Sequence, residues 1–340
     1  MVPPGGETIG IAASPFAAGV SHRNDFTASR CFGKSTGVTA SSETQDKALA
    51  PPRWQSDATL AAVTVIWGTT FVVVKSALSG ISAVYFLTLR FWIASACLAL
   101  LFLRPFLAAE RKAVLLGLRG GAFAGVFLWL GYVLQTFGLK YTTAGKSGFI
   151  TGLYIVLVPL VGAVIYRKRP HPSEIVGILI ATGGMILLTL PSLAAMQPNF
   201  GDVLTLACAG AFSVHLVVLG HYAQREHYAA VALGQILCAA VLSSLALLWE
   251  PARVDWSPNL VMALVLTGVF ATAVAFSLQT WGQRYTSATR TAVIFALEPV
   301  FALATAVVFA NEGVTKVGLA GAALILAGIL IVELKPIASS

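Results

Sequence analysis

The sequence predicts an all-α membrane protein with ten transmembrane helices, arranged as two inverted repeats of five helices each. Three observations lead to this prediction. First, 57% of the 340 residues are hydrophobic and only 11% are charged, with a mean hydropathy of +0.82, whereas a soluble domain carries about 25% charged residues. Second, the charged residues separate apolar stretches that are long enough to cross a bilayer. Third, the chain repeats itself at an offset of 144 residues.

The ten spans follow from the positions of the charged residues. A helix needs about 20 mostly apolar residues to cross the hydrocarbon core. The uncharged stretches reach that length once pieces divided by a single ionisable residue, Arg90 or Glu298, are joined. Backbone polar groups in lipid must be paired within the segment, so we expect helices. The predicted spans are 58–77, 81–103, 115–138, 146–166, 174–190, 202–222, 229–249, 259–282, 288–310 and 316–334.

Residues 1–56 differ from the rest of the chain, because they are rich in Ser, Thr, Ala, Gly and Pro and lack apolar periodicity. We predict a disordered N-terminal tail, or a start codon assigned too far upstream. The alternative is an organelle transit peptide, which would imply an organelle membrane, but four acidic residues count against it. The predicted domains are the tail 1–56, a first repeat 57–190, a linker loop 191–201 and a second repeat 202–335.

The lysines and arginines near the span ends are divided unevenly between the two sides of the membrane. Twelve of them fall on the side of the N-terminus and five on the other side. Because cytoplasmic loops carry the excess of Lys and Arg, both termini are predicted to be cytoplasmic. We therefore expect a multi-pass protein of the cell membrane, inner or plasma, in which the net charge of +8 sets the topology.

The internal repeat is the most informative feature of the chain. Leu134–Ala144 reads LQTFGLKYTTA and Leu278–Ala288 reads LQTWGQRYTSA, so that seven of eleven positions are identical, including a Gln, a Thr and a Tyr. Since each copy holds an odd number of spans, the two copies must face opposite ways in the membrane. Inverted repeats of this kind are typical of secondary transporters, in which the substrate site lies near the midplane between the repeats.

Short motifs within the spans carry a resemblance to a known family. They are WGTTF at 67–71 followed by Lys75, LRF at 89–91, GLKYT at 138–142, ALEPV at 296–300, and Asn311-Glu312 before a glycine-bearing last span. With these motifs the sequence resembles the EamA type of the drug/metabolite transporter (DMT) superfamily over about 58–334. The resemblance implies an exporter of amino acids or other small metabolites.

Charged side chains in the middle of a span are costly and mark functional sites by default. Arg90 and Glu298 are the two such residues, and we predict that both face a central cavity. Arg90 could hold a carboxylate through paired hydrogen bonds, and Glu298 could hold an ammonium group or carry a proton. The alternative is that each pairs with the other, or with backbone carbonyls, and only fixes helix packing.

Polar and aromatic residues within the spans extend the predicted substrate site. We include Trp67, Thr70, Gln135, Tyr154, His215 and Gln279. The alternative for each of them is an ordinary role in core packing. Pro159 and Pro299 lack the N–H that would complete their helices, so we predict that they act as hinge or cavity residues, although simple packing kinks explain them almost as well.

Sequence patterns of enzymes are missing from the chain. It has no Walker A motif, no HExxH, no GxSxG and no metal-binding cluster, so we expect no enzyme, no cofactor, no metal and no nucleic-acid partner. The expected partners are a small-molecule substrate, the lipid bilayer and protons. Gly117, Gly121 and Gly125 allow a helix to approach closely, either within the chain or in a homodimer. The alternative functions are a sugar-nucleotide, drug or phosphorylated-metabolite carrier, or a receptor or scaffold without transport.

Overall fold

The computed structural model describes residues 51–167, 170–193, 198–301, 303–304 and 315–333. These residues are helical apart from short connections, and the one β pairing among them is an isolated bridge between Ile81 and Val254. Most of the predicted N-terminal tail, together with Asn311-Glu312, lies outside the described residues.

The first repeat contains eight helices, several of which join to form longer spans. They are α1 (Arg53–Gly68), α2 (Thr70–Ala77), α3 (Ala83–Leu101), α4 (Leu103–Ala108), α5 (Arg111–Tyr141), α6 (Ala144–Gly152), α7 (Tyr154–Tyr166) and α8 (Pro172–Leu193). The first helix begins inside the stretch predicted as tail. Ser56 explains this, because its Oγ donates a 2.8 Å hydrogen bond to the backbone oxygen of Gly282 and so ties the first turn to the second repeat.

The second repeat follows the same order with one irregular segment. Its elements are α9 (Phe200–Ala223), α10 (Tyr228–Ala246), α11 (Pro258–Val265), a π-helical segment (Leu266–Val274), α12 (Ala275–Arg284), α13 (Ala288–Phe295) and α14 (Lys316–Glu333). The elements from α11 to α12 run on without interruption and form one long span.

Eight helices or joined helix pairs among the described residues are long and apolar enough to cross a membrane, and they overlap the first eight predicted spans. The tenth predicted span corresponds to a shorter apolar helix, Lys316–Val332. The ninth lies partly outside the described residues, so the total of ten spans stays a prediction. Large apolar side chains such as Leu107, Val164 and Leu248 are exposed on the bundle, as expected for a surface that faces lipid.

The glycines that the sequence singled out in α5 pack against α10 within the same chain. A Cβ added at Gly125 would stand 2.5 Å from the backbone oxygen of Gln235, and one added at Gly117 would stand 2.7 Å from the Cβ of Ala230. Small residues of this kind let two helix backbones approach each other closely. The glycine stripe is therefore occupied by a contact between the two repeats.

A second glycine contact joins α8 to α14, the last helices of the two repeats. A Cβ added at Gly177 would lie 2.7 Å from the oxygen of Gly328, and one added at Gly184 would lie 2.5 Å from the oxygen of Gly321. Gly177 and Gly321 are equivalent in the repeat, and so are Gly184 and Gly328. The two contacts are therefore related by the internal symmetry of the chain.

The turns between helices fall into two groups at the two ends of α9. At the start of α9, Asp202 forms an ion pair with Lys146 and accepts a hydrogen bond from Thr142, in the connection from α5 to α6. At the far end, Gln224 donates a 2.9 Å hydrogen bond to the oxygen of Thr286, in the turn between α12 and α13. The equivalent helices α6 and α13 thus begin at opposite ends of the bundle.

Candidate functional site

A cavity of about 60 Å³ lies inside the bundle, between helices of both repeats. A volume of this size has room for a few water molecules. All eight residues that the sequence predicted for the substrate site line its wall, and they are Trp67, Thr70, Arg90, Gln135, Tyr154, His215, Gln279 and Glu298. The structure therefore brings the whole set together, while their binding to a substrate stays a prediction.

Repeat-equivalent positions supply nearly half of the cavity wall. Four equivalent pairs contribute to it, and they are Tyr132 with Phe276, Gln135 with Gln279, Thr151 with Phe295, and Tyr154 with Glu298. A site formed by both copies of the same positions lies at the meeting of the repeats, where transporters of this architecture bind their substrates. The charges do not follow the repeat, because Arg90 is equivalent to Gly234 and Glu298 to Tyr154.

Arg90 is buried in α3 and is held by residues of two other helices. Its Nε donates a 2.7 Å hydrogen bond to Thr272 Oγ1, and its Nη2 donates a 3.0 Å hydrogen bond to the Tyr132 hydroxyl. Nη2 also donates to the oxygen of Ala271 at 3.4 Å. Arg90 is therefore held partly by a backbone carbonyl, as the alternative role in helix packing predicted. Nη1 makes no hydrogen bond to a described residue, and it remains able to donate to a ligand in the cavity.

Glu298 lies on the cavity wall just after α13 ends. Its carboxylate makes neither a hydrogen bond nor an ion pair with any residue in the described part of the chain. In particular, no atoms of Arg90 and Glu298 come within ion-pair distance of each other, so the alternative in which the two charges pair is not observed. The cavity therefore contains a guanidinium group and a carboxyl group that are not paired with each other.

His215 lies in a hydrogen-bonded chain that fixes its tautomer. The hydroxyl of Thr280 donates a 2.6 Å hydrogen bond to the oxygen of Phe276, so it must accept the 3.0 Å bond from Gln235 Nε2. The oxygen of the Gln235 amide then faces His215 Nε2 at 2.8 Å and accepts from it. A neutral His215 consequently carries its proton on Nε2, and Nδ1 remains an acceptor at the cavity wall.

Aromatic rings from both repeats form the apolar side of the cavity. The Trp67 ring lies 5.2 Å from Phe276 and 5.2 Å from Phe295, between centroids. The Tyr132 ring lies 5.4 Å from Phe212 in an edge-on arrangement. Trp67 also donates a 2.9 Å hydrogen bond from Nε1 to the oxygen of Ala271, which holds its indole in place. This wall suits a ligand with an apolar part.

The remaining predicted polar residues differ in how many of their hydrogen bonds are filled. The Thr70 hydroxyl donates to the oxygen of Trp67 within its own span at 2.8 Å, and Gln135 Nε2 donates to Thr151 at 3.3 Å. Gln279 Oε1 is buried without a hydrogen-bond partner among the described residues. A buried acceptor of this kind is usually satisfied by a water or a ligand, so Gln279 adds an acceptor to the site.

The two prolines lie near the cavity but outside its lining. Pro159 is in the middle of α7, and Pro299 directly follows Glu298. Any hinge role of the two prolines would therefore act through the shape of their helices, and it stays a prediction.

Sequence reasoning missed several residues of the wall. Phe276 and Phe295 occupy the second-repeat positions of Tyr132 and Thr151, so the repeat itself could have identified them once their partners were chosen. Thr272 does not line the cavity but holds Arg90 there. It was missed because nothing in the sequence LTGVFATAV distinguishes a π-helical segment from an ordinary apolar helix.

Comparison with known proteins decides the family. The chain matches the EamA-like transporter family twice, over residues 55–190 and again over 199–334. It belongs to that family. An uncharacterized transporter of Archaeoglobus fulgidus is 36% identical to this EamA-like transporter over 283 residues, which are 83% of the chain and 87% of the relative.

Further relatives of the EamA-like transporter carry more specific names. Proteins named probable amino-acid metabolite efflux pump, from Salmonella typhimurium and Escherichia coli, are 26% and 25% identical over 79% of the chain and 91% of their own lengths. A solved crystal structure has the same fold with a TM-score of 0.67, at 20% identity over 82% of this chain and 97% of that one. The protein is therefore a multi-pass membrane transporter of a family with bacterial and archaeal members.

Proposed function

We propose that this EamA-like transporter is a secondary exporter of amino acids or closely related small metabolites. The proposal rests mainly on one observation: Arg90 and Glu298 lie on the wall of one cavity and do not pair with each other. A zwitterionic amino acid carries the two complementary charges. Arg90 Nη1 would donate to its carboxylate, Glu298 would accept from its ammonium group, and the aromatic wall would contact its side chain.

The arrangement of charge also narrows the substrate class. Arg90 is the one Lys or Arg side chain among the described residues that line the cavity. A sugar nucleotide or phosphorylated metabolite carries two or more negative charges and would require further cations. An amino acid needs one cation and one anion, and the names of the two efflux-pump relatives agree with this class.

Transport would proceed by alternating access between two oppositely oriented repeats, with both termini in the cytoplasm. Three observations support the opposite orientation of the repeats and the position of the site between them. The family matches the chain twice, the equivalent helices α6 and α13 begin at opposite ends of the bundle, and the cavity lies where the repeats meet. In such transporters one repeat rocks against the other around a fixed site. Glu298 would bind a proton when it releases the ammonium group, which couples export to proton entry.

The test begins with thermal denaturation of the purified protein in the presence of each of the twenty common L-amino acids. A ligand that binds the folded state raises its apparent stability. The amino acids that stabilise the protein are then loaded into proteoliposomes, and their efflux is measured for the wild type, Arg90→Gln and Glu298→Gln. Arg104→Gln and Glu110→Gln are the matched controls, because both side chains are exposed outside the cavity.

We expect at least one amino acid to be bound and exported, and we expect the two cavity variants to lose binding while the two controls retain it. The proposal is overturned if none of the twenty stabilises or leaves the vesicles, or if Arg90→Gln and Glu298→Gln transport as fast as the wild type.

A further inference from the structure

The π-helical segment Leu266–Val274 is the place where the second repeat holds the cavity arginine of the first repeat. Thr272 Oγ1 accepts a 2.7 Å hydrogen bond from Arg90 Nε, and the oxygen of Ala271 accepts from both Trp67 Nε1 and Arg90 Nη2. Two consecutive residues of this segment thus contact two side chains of the site, one charged and one aromatic.

The widened helical turn explains why Thr272 can accept this bond. Its hydroxyl donates to the oxygen of Thr267, five residues earlier, at 2.7 Å. With the proton committed to that carbonyl, the oxygen lone pairs of Thr272 face Arg90. Single π-helical turns inside longer helices are found frequently at functional sites. Gly268 keeps the two helices close, because a Cβ there would stand 2.9 Å from Ile93 Cγ2.

The first repeat has no such segment at the equivalent place. Residues 122–130 belong to the regular helix α5, and the position equivalent to Arg90 is Gly234, where a Cβ would lie 2.5 Å from the oxygen of Leu118. The same helix crossing is therefore tight where the equivalent residue is glycine. It is polar where the residue is Arg90.

We infer that Thr272 is a positioning residue, which orients Arg90 so that Nη1 faces a carboxylate in the cavity. The inference rests on the proposed function, in which Arg90 binds the substrate carboxylate. It adds that the specificity for a carboxylate depends on a hydroxyl that itself does not touch the substrate.

The test compares Thr272→Val, which keeps the shape but removes the hydroxyl, with Thr272→Ser, which keeps the hydroxyl. The probes are the L-amino acid that binds the wild type best and its C-terminal amide, which lacks the negative charge. We expect Thr272→Val to weaken binding of the amino acid by roughly tenfold, the size expected for a lost hydrogen bond to a charged group. Binding of the amide should change little. Thr272→Ser should restore the wild-type ratio of amino-acid affinity to amide affinity.

A second measurement does not depend on the substrate. Thermal denaturation of Thr272→Val, Arg90→Met and the double variant forms a double-mutant cycle. We expect the double variant to lose less stability than the sum of the single losses. Additive losses would overturn the positioning role whatever the substrate is. Coupled losses would also overturn the positioning role if Thr272→Val left the ratio of amino-acid affinity to amide affinity unchanged. Failure of the wild type to bind any amino acid would instead refute the proposed function.

Two ion pairs between the repeats carry a second and independent inference. Lys146 pairs with Asp202 at 2.6 Å, and Arg290 pairs with Asp57 at 2.6 Å. Lys146 and Arg290 are repeat-equivalent, and each lies in the first turn of a helix whose N-cap, Thr143 or Ser287, accepts from its backbone N–H. Asp57 and Asp202 lie in the first helices of the two repeats. Each base therefore pairs with an acid of the other repeat.

The two pairs lie at opposite ends of the bundle and close to the cavity. Lys146 is five residues before Thr151, and Arg290 is five residues before Phe295, both of which line the cavity. Five residues of helix correspond to about 7.5 Å. The four charged side chains are no more than 19% exposed, so they interact in a poorly screened environment.

We propose that each ion pair closes one end of the cavity, and that opening an end requires its pair to separate. Lys146 and Asp202 close the end on the extracellular side of the predicted topology, and Arg290 and Asp57 close the cytoplasmic end. Both pairs are formed in this structure. This inference concerns the motion of the repeats and does not depend on the substrate.

The test uses a reporter cysteine, Leu216→Cys, on the cavity wall, in a background in which Cys31, Cys97, Cys208 and Cys238 are replaced by Ala. A charged, membrane-impermeant thiol reagent is applied to one side of oriented vesicles. We expect Asp202→Asn to speed labelling from the extracellular side by about fivefold or more, at the lower end of typical coupling between sites. Asp57→Asn should speed labelling from the cytoplasmic side by a similar factor.

Charge-exchanged variants control for misfolding. Lys146→Asp combined with Asp202→Lys, and Arg290→Asp combined with Asp57→Arg, should return labelling toward the wild-type rate. The proposal is overturned if neither single variant changes its labelling rate, if both open the same side, or if each opens the side opposite to the one assigned.

Discussion

Leu153 and Leu297 interrupt the same helix in the two repeats, at positions 144 residues apart. The backbone N–H of Leu153 bonds to the oxygen of Ile150 at 3.2 Å, and that of Leu297 bonds to the oxygen of Ile294 at 3.0 Å, each three residues back instead of four. In both repeats the residue that follows the break, Tyr154 or Glu298, lines the cavity. Interrupted helices thus bring equivalent residues to the site, as in other transporters built from repeats.

The prolines account for one of these breaks and not for the other. Pro299 lacks the backbone N–H that would bond to the oxygen of Phe295, and this missing bond lies at the break itself. Pro159 lacks the N–H that would bond to the oxygen of Ile155, which lies beyond the break at Leu153. We predict that Pro299→Ala slows export by about tenfold, equivalent to about 1.4 kcal/mol on the barrier, because a restored helix would move Glu298. Pro159→Ala is the control and should have the smaller effect. If the two variants slow efflux equally, the break at Leu297 has no specific role in transport.

Proton coupling through Glu298 predicts a change in how export responds to a pH gradient. In the wild type, an acidic extracellular side should speed amino-acid efflux, because protons enter as the substrate leaves. Glu298→Gln cannot carry the proton, so its residual efflux should be the same with and without the gradient. Glu298→Asp should keep a response. The measurement is efflux from loaded proteoliposomes, and a gradient response that survives in Glu298→Gln would remove the proton role.

The tautomer of His215 predicts that two substitutions will behave differently. His215→Gln can still donate to Gln235, so the melting temperature should stay near that of the wild type, while amino-acid binding weakens because the Nδ1 acceptor is lost. His215→Leu leaves the buried oxygen of Gln235 unsatisfied, which costs about 1–3 kcal/mol of stability. Thermal denaturation with and without the bound amino acid distinguishes the two effects. Equal stability of the two variants would contradict the hydrogen-bonded chain.

Close packing between α5 and α10 predicts that the stability of the protein depends strongly on the size of the side chain at position 125. Gly125→Ala should lower the free energy of unfolding by about 1–3 kcal/mol, because the new methyl group would meet the backbone of Gln235 at 2.5 Å. Gly162→Ala is the matched control. It lies in α7 with no neighbouring atom within 4 Å of an added Cβ, and alanine favours a helix. It should therefore be neutral or stabilising in thermal denaturation.

Sequence reasoning reached the eight described spans and eight residues of the cavity wall for simple physical reasons. Lipid excludes charge, so the positions of charged residues delimit the helices, and an ionisable residue such as Arg90 or Glu298 within a span must face the interior. The repeat then located the site between the two copies. The ninth span could not be tested, since part of it lies beyond the residues that the structure describes.

The features that sequence reasoning did not reach depend on how helices meet. The π-helical segment contacts Arg90, but its own residues would suit a regular helix equally well. The ion pairs of Lys146 and Arg290 join residues that are distant in sequence, and nothing in the sequence identifies Asp202 and Asp57 as their partners. The unpaired state of Glu298 likewise depends on where Arg90 is held by Thr272 and Tyr132.

The glycine contact between α8 and α14 has a consequence for how such a chain could arise. Gly177 meets Gly328 and Gly184 meets Gly321, so each helix offers its neighbour the same surface that it receives. Self-complementary contacts of this kind are characteristic of two-fold homodimers. Two separate five-helix chains with this glycine spacing could associate through the same surface, and gene fusion would then need only a linker to convert that dimer into a single polypeptide.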